Sequence, residues 1–167
     1  MTSSFAVRCR SNPKYWGRRA AGIMFMAADT GRIMLGLRSR RVMERGTWGV
    51  FGGKLEGGES AAEGAARESE EETGISVDVS SLLTLYVFSD SKADFQYTTM
   101  LCIVPDEISP ELNWEHDDFG WFDPRDILQW SATPLHPGVL HMLSQDGVLQ
   151  KLVEAGGFLR GDKAYAG

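Results

Sequence analysis

The chain has 167 residues, 43% of them hydrophobic and 10% aromatic, and a formal net charge of −6. That content suits one domain over residues 1–167 with a proper core, and it excludes a disordered chain. The acidic balance argues against a broad basic surface for a stable nucleic-acid complex, and no apolar run approaches the roughly 18 residues a membrane helix needs.

The N-terminal stretch lacks the apolar core of a signal peptide, and Cys9 and Cys102 form no spaced pattern. A reducing, cytoplasmic setting is the expectation. Strands are predicted over 20–27 (AAGIMFMA) and 32–39 (RIMLGLRS), joined at Asp29-Thr30-Gly31, with a short extended piece over 48–51. Gly57-Gly58 marks a tight loop. Ser60 followed by Glu63 is a capping box that opens a helix, and Gly74 closes it. Further strands are expected over 82–89 and 95–104, then a long loop over 105–116. Trp121 and Phe122 begin a strand or turn, and PRDIL (124–128) begins a short helix. Residues 137–155 read as helical, with Gly147 a candidate break.

Within the central helix, Glu68, Glu71 and Glu72 stand at i, i+3 and i+4, so their side chains are neighbours. Glu59 lies just ahead of the N-cap. Carboxylates that close repel and take up protons unless a cation joins them, and hard oxygen donors suit Mg²⁺ or Mn²⁺. Ala62, Ala65, Ala66, Ser69 and Thr73 form a small stripe that packs closely on a sheet. Glu63 and Glu70 lie on the other flank, where Arg67 can pair with them.

From Gly53 to Ile75 the chain resembles the Nudix signature, G-x5-E-x7-R-E-U-x-E-E-x-G-U, where U is bulky and apolar. The matching positions are Gly53, Glu59, Arg67, Glu68, Glu71, Glu72, Gly74 and Ile75, while Ser69 stands where a bulky residue is usual. Phe51 also replaces a proline common before the glycines. The resemblance, of MutT type, implies an α/β/α sandwich around a mixed sheet, with the signature as loop-helix-loop. It implies metal ligation by Glu68, Glu71, Glu72 and the Gly53 carbonyl, support of the metal cluster by Glu59, and orientation of the glutamates by Arg67. A further acid often completes such sites. Glu115 is the best match, with Asp117 and Asp118 as competitors, and it is a candidate ligand for a second metal or acceptor of the attacking water's proton.

The implied activity is Mg²⁺-dependent hydrolysis of a diphosphate bond in nucleoside diphosphate-linked compounds, with (d)NTPs or modified nucleotides first. Nucleotide sugars, dinucleoside polyphosphates and non-catalytic nucleotide sensing are the alternatives. Lys54, Arg38, Arg40 and Arg41 are candidates for the substrate phosphates, against the alternative of solvated loop charge. His116 is read as an ordinary loop residue. Tyr15, Trp16, Phe88, Phe95 and Tyr97 could stack on a base, but strand aromatics more often belong to a core. Trp48 is likewise read as core. A homodimer is a further expectation from the family.

Overall fold

A computed structural model of the protein describes residues 18–129 and 134–160. Cys9, Tyr15 and Trp16 therefore lie outside the described residues. The elements run β1 (Arg19–Ala27), β2 (Ile33–Arg38), β3 (Trp48–Gly49), β4 (Phe51–Lys54), α1 (Ala61–Thr73), a 3₁₀ turn at Val79–Ser81, β5 (Leu83–Asp90), β6 (Phe95–Val104), β7 (His116–Phe122), α2 (Pro137–Leu143) and α3 (Val148–Arg160).

Seven strands form one mixed sheet. β1 is its middle. It pairs in parallel with β6 along its whole length, and on its other edge antiparallel with β4 and then β2. After Arg19 every residue of β1 is buried, as expected of a strand covered on both faces. α1 covers one face, over Ala21, Ile23, Phe25, Phe51 and Met100. The other face packs Met24, Met26, Leu35 and Leu101 against α2 and α3 through Val139, Met142, Leu143 and Leu152. The result is the expected α/β/α sandwich.

Three local expectations change. β7 begins at His116 and pairs along β2 from Ile33 to Arg38, so the strand starts five residues before Trp121. Its exposed Asp117 and Asp118 hide the strand signal in the sequence. Residues 124–129 form turns and not a helix. Asp123 Oδ1 accepts the Arg125 N–H at 2.9 Å, a local bond that competes with helix growth. The predicted 137–155 helix is two helices, parted where Gly147 takes φ 83°.

α1 owes its ends to its sequence. Ser60 Oγ accepts the Glu63 N–H at 3.1 Å while Glu63 returns the bond to the Ser60 N–H at 3.3 Å. Gly74 closes the helix at φ 71°, a conformation that costs glycine little. Gly64, Ala65, Ser69 and Thr73 are buried, whereas Ala62 and Ala66 are half-buried. Serine in place of a bulky residue leaves no gap at 69, because the side chain is fully enclosed and the helix lies close to the sheet. Its hydroxyl has no hydrogen-bond partner among the described residues.

Candidate active site

The signature loop begins as β4, where Gly52 lies opposite Gly22 of β1. A Cβ on Gly52 would collide with the β1 backbone and come within 2.7 Å of the Tyr97 hydroxyl. A Cβ on Gly53 would lie 2.8 Å from the Glu68 carboxyl. The glycines thus let the strand, α1 and a carboxylate approach more closely than side chains would allow. Phe51, where a proline is usual, is fully buried and sits edge-on to Phe25, with ring centroids 6.4 Å apart.

Arg67 is the hub of the outer part of the site. Its Nε and Nη2 donate to the two oxygens of Glu59 at 2.6 and 3.0 Å. Nη1 reaches Glu68 at 3.0 Å and Glu71 at 3.4 Å, and Nη2 also donates to the Lys54 carbonyl at 3.1 Å. The pairing with Glu63 and Glu70 expected from helix spacing does not form. Glu63 is held in the capping box, and Glu59 offers both oxygens to the planar guanidinium. The Arg67 bond and the Glu56 N–H hold the Glu59 carboxyl down at about 2, so it is ionised.

The inner part is different in kind. Glu72 is 1% exposed, although Glu71, its neighbour, is exposed. The Gly52 N–H donates to Glu72 Oε2 at 3.0 Å. Burial, followed by the nearby Glu115 and Glu68 carboxylates, pushes the Glu72 carboxyl up to about 9. Burial also raises Glu68, against the pull of Arg67. Glu115 is half-buried and within hydrogen-bonding reach of Glu72, while Asp117 and Asp118 are exposed along β7.

Among the described residues, no three acidic, histidine or cysteine side chains are already gathered around one point at ligand spacing. The donor chemistry nevertheless fits a hard divalent cation. Glu72 lies beside two carboxylates, and positive charge there would relieve the repulsion that holds its proton.

The candidate phosphate contacts separate. Arg38 is buried, its Nε donating to the Met43 carbonyl at 2.8 Å, and its charge lies near Glu72 and Glu115. Arg40 and Arg41 are exposed in the loop after β2, and Lys54 is exposed at the end of β4. His116 is not a loop residue. It starts β7, is 5% exposed, and packs its ring 4.8 Å from that of Phe51. Burial and then Arg38 lower it to about 4.

Phe88, Phe95 and Tyr97 line a cavity together with Tyr86, His136 and His141. The last three were not legible as site residues, since nothing in their spacing links β5 to α2. Trp48 is half-buried, packing edge-on against Phe122 at 5.1 Å.

Comparison with known proteins agrees with the fold. A Mycobacterium tuberculosis protein provisionally named 8-oxo-dGTP diphosphatase 3 is 29% identical over 136 residues, covering 77% of this chain. The match spans 61% of that relative's length. The crystal structure of a Nudix hydrolase from M. smegmatis aligns with TM-score 0.64 at 23% identity, covering 86% of this chain and 89% of that one. A C. elegans Ap4A hydrolase complex aligns with TM-score 0.60 at 21% identity, covering 85% and 98%. The family profile described as NUDIX domain matches residues 16–143, so the chain belongs to the NUDIX family.

Proposed function

We propose that the protein hydrolyses a diphosphate bond in nucleoside diphosphate-linked compounds, with nucleoside triphosphates or their modified forms as substrates and Mg²⁺ (or Mn²⁺) as cofactor. One observation carries the reading. Glu72 is buried against Glu68 and Glu115 with its carboxyl raised to about 9, so added positive charge beside it would favour its ionised, ligating form.

Glu68, Glu71, Glu72 and Glu115, with the Gly53 carbonyl, are the proposed ligands, and Glu59 supports them through Arg67. A bound divalent cation supplies charge neutralisation at the diphosphate oxygens and acidifies water. The chain's own residues do the rest. Arg67 positions Glu68 and Glu71. The Gly52 N–H orients Glu72. Arg38, whose charge lies near Glu72 and Glu115, and the exposed Lys54, Arg40 and Arg41 are the candidate phosphate contacts. In the reaction, a water oxygen forms a bond to phosphorus, the bridging P–O bond breaks, and one of the carboxylates, Glu115 the first candidate, takes the water proton.

The name of the M. tuberculosis relative supports a nucleoside triphosphate substrate, and that of the C. elegans structure a dinucleoside polyphosphate as the second choice. The deciding experiment incubates purified protein and Mg²⁺ with a nucleotide panel and identifies products by mass spectrometry. Release of phosphate, pyrophosphate or a nucleoside monophosphate is expected. No product from any substrate, in protein that binds Mg²⁺, would overturn the proposal.

A further inference from the structure

On the sheet face away from α1, strands β5 and β6, the loop after β2 and helix α2 enclose a cavity of about 320 Å³. That is the size of a small-ligand site. Phe88, Phe95, Tyr97, Val139 and Met142 supply apolar and aromatic wall. Gly52 and Arg38 also line it. Gly52 is the residue whose N–H holds Glu72, and the Arg38 charge lies near Glu72 and Glu115. A molecule with its diphosphate among the glutamates would have this cavity in reach of whatever the diphosphate carries.

The polar groups lining the cavity include two that present only donors to it, Arg38 and one ring nitrogen of His136. His136 Nδ1 accepts the Gly138 N–H at 3.0 Å, which places the ring proton on Nε2. That nitrogen has no hydrogen-bond partner among the described residues. Burial and then the Arg38 charge lower this imidazole to about 4, so it is neutral at working pH and its tautomer is fixed. Arg38 contributes donors only. The single carboxylate in the lining is Glu44, exposed on the loop. Hydroxyls of Tyr86, Tyr97 and Thr99 complete the set, with Tyr86 3.1 Å from His141 Nε2. A carbonyl oxygen entering beside His136 would be paired. An amino group there would face a donor with a donor and leave both unsatisfied.

We propose that this cavity takes the base of the substrate and selects bases with a carbonyl at purine C6 or pyrimidine C4 over their amino counterparts, with the His136 Nε2–H as the specificity-determining donor. The proposal rests on the nucleotide-hydrolase reading above. Its chemistry is separate from the signature, because the residues that select are on β5, β6 and α2.

Two nucleotide pairs test it, ITP against ATP and UTP against CTP, since each pair exchanges one carbonyl for one amino group. With Mg²⁺ and the full chain, kcat/KM should favour the carbonyl member of each pair by roughly tenfold or more. His136→Phe keeps a ring but removes the donor, together with the Nδ1 that caps α2, and should bring both ratios close to one. His136→Gln keeps an N–H and should retain part of the preference. Equal kcat/KM within the pairs, or a preference that His136→Phe leaves intact, overturns the inference and leaves the hydrolase reading standing. If none of the four is hydrolysed, titration calorimetry of the same nucleotides on the wild-type protein decides. A carbonyl preference in binding upholds the cavity assignment while the hydrolase reading fails, and equal or absent binding overturns it. Should His136→Phe not fold, the wild-type ratios and His136→Gln carry the decision.

Discussion

Glu59 and Glu72 belong to one short signature, yet they sit in opposite electrostatic worlds. Glu59, on the outer side, has both oxygens on Arg67 and is held down at about 2. Glu72, on the inner side, has a backbone N–H and two other carboxylates for company and is raised to about 9. The outer half is neutralised by the chain itself and keeps its geometry in any ordinary buffer. In the inner half Glu68 bonds Arg67 and the Arg38 charge lies near Glu72, yet burial still raises both carboxyls, so the charge state there is left open to solution conditions. A cluster that looks uniform in sequence is one scaffold and one reactive centre.

The sharpest way to break this division is at Glu72. Glu72→Gln should lower turnover by about a thousandfold or more, measured as initial product release with saturating Mg²⁺. The same variant should be at least as thermally stable as the wild type in EDTA, because it removes a carboxylate that is costly to ionise. A rate loss below tenfold would erase the distinction between the halves.

Arg67→Ala attacks the scaffold. It should cost about 10–100-fold in activity or Mg²⁺ affinity, the usual range for groups that orient ligands. Arg67→Lys should recover little, because an ammonium cannot bond both Glu59 oxygens in one plane and still reach Glu68. Kinetics and Mg²⁺ titration of the two variants check both claims.

The pH response sharpens the comparison further. Glu72 has a folded value of about 9 against an ordinary value of 4.5, so between those limits the folded state binds the extra proton. Its contribution to stability is present at the acid end and is lost as pH rises through the window. In EDTA the Tm should therefore fall by about 10 °C between pH 6 and pH 9. Mg²⁺ should restore it more at pH 9, where no proton competes, and Glu72→Gln should flatten the curve. Glu59 acts in the opposite sense, contributing stability above its ordinary range and losing it only as pH falls toward 2.

The smallest effect concerns packing beneath both halves. Ser69 is fully buried and its hydroxyl has no partner among the described residues. Ser69→Ala should stabilise the fold by about 1 kcal/mol. Ser69→Leu, the bulky alternative usual at that position, should cost about 1–3 kcal/mol here, because α1 has settled close to the sheet. Denaturant melts read both.

The sequence made the scaffold visible because the scaffold is local. Ser60, Glu63 and Gly74 are capping chemistry written within one helix, and the glutamate spacing is helix geometry. β1 and β6 were plain from their apolar runs. What spacing could not show was how far α1 is rolled on the sheet. That roll buries Glu72 and exposes Glu71, two adjacent residues of the same type. Nor could it show Arg67 turning from Glu63 to Glu59, a choice made when the capping box engages one and the loop presents the other. The cavity was least legible. It joins Arg38, Tyr86, Tyr97 and His136, which are far apart in the chain and meet only through sheet order and the docking of α2. β7 was shortened in the reading for a related reason: its polar residues face water, and only pairing with β2 marks them as strand.

Gly52 has a further consequence. The partition between the carboxylates and the cavity includes Gly52, whose amide is committed to Glu72 and which has no room for a side chain against β1 or Tyr97. Variation at the partition is closed off, so any change of substrate must enter from the opposite wall, through β5 and the start of α2. Those segments follow the signature in the chain and share no residue with it. On the proposed reading the protein is modular for an engineer: a library over residues 86, 88, 136, 139 and 142 would re-aim substrate choice and leave the signature glutamates untouched.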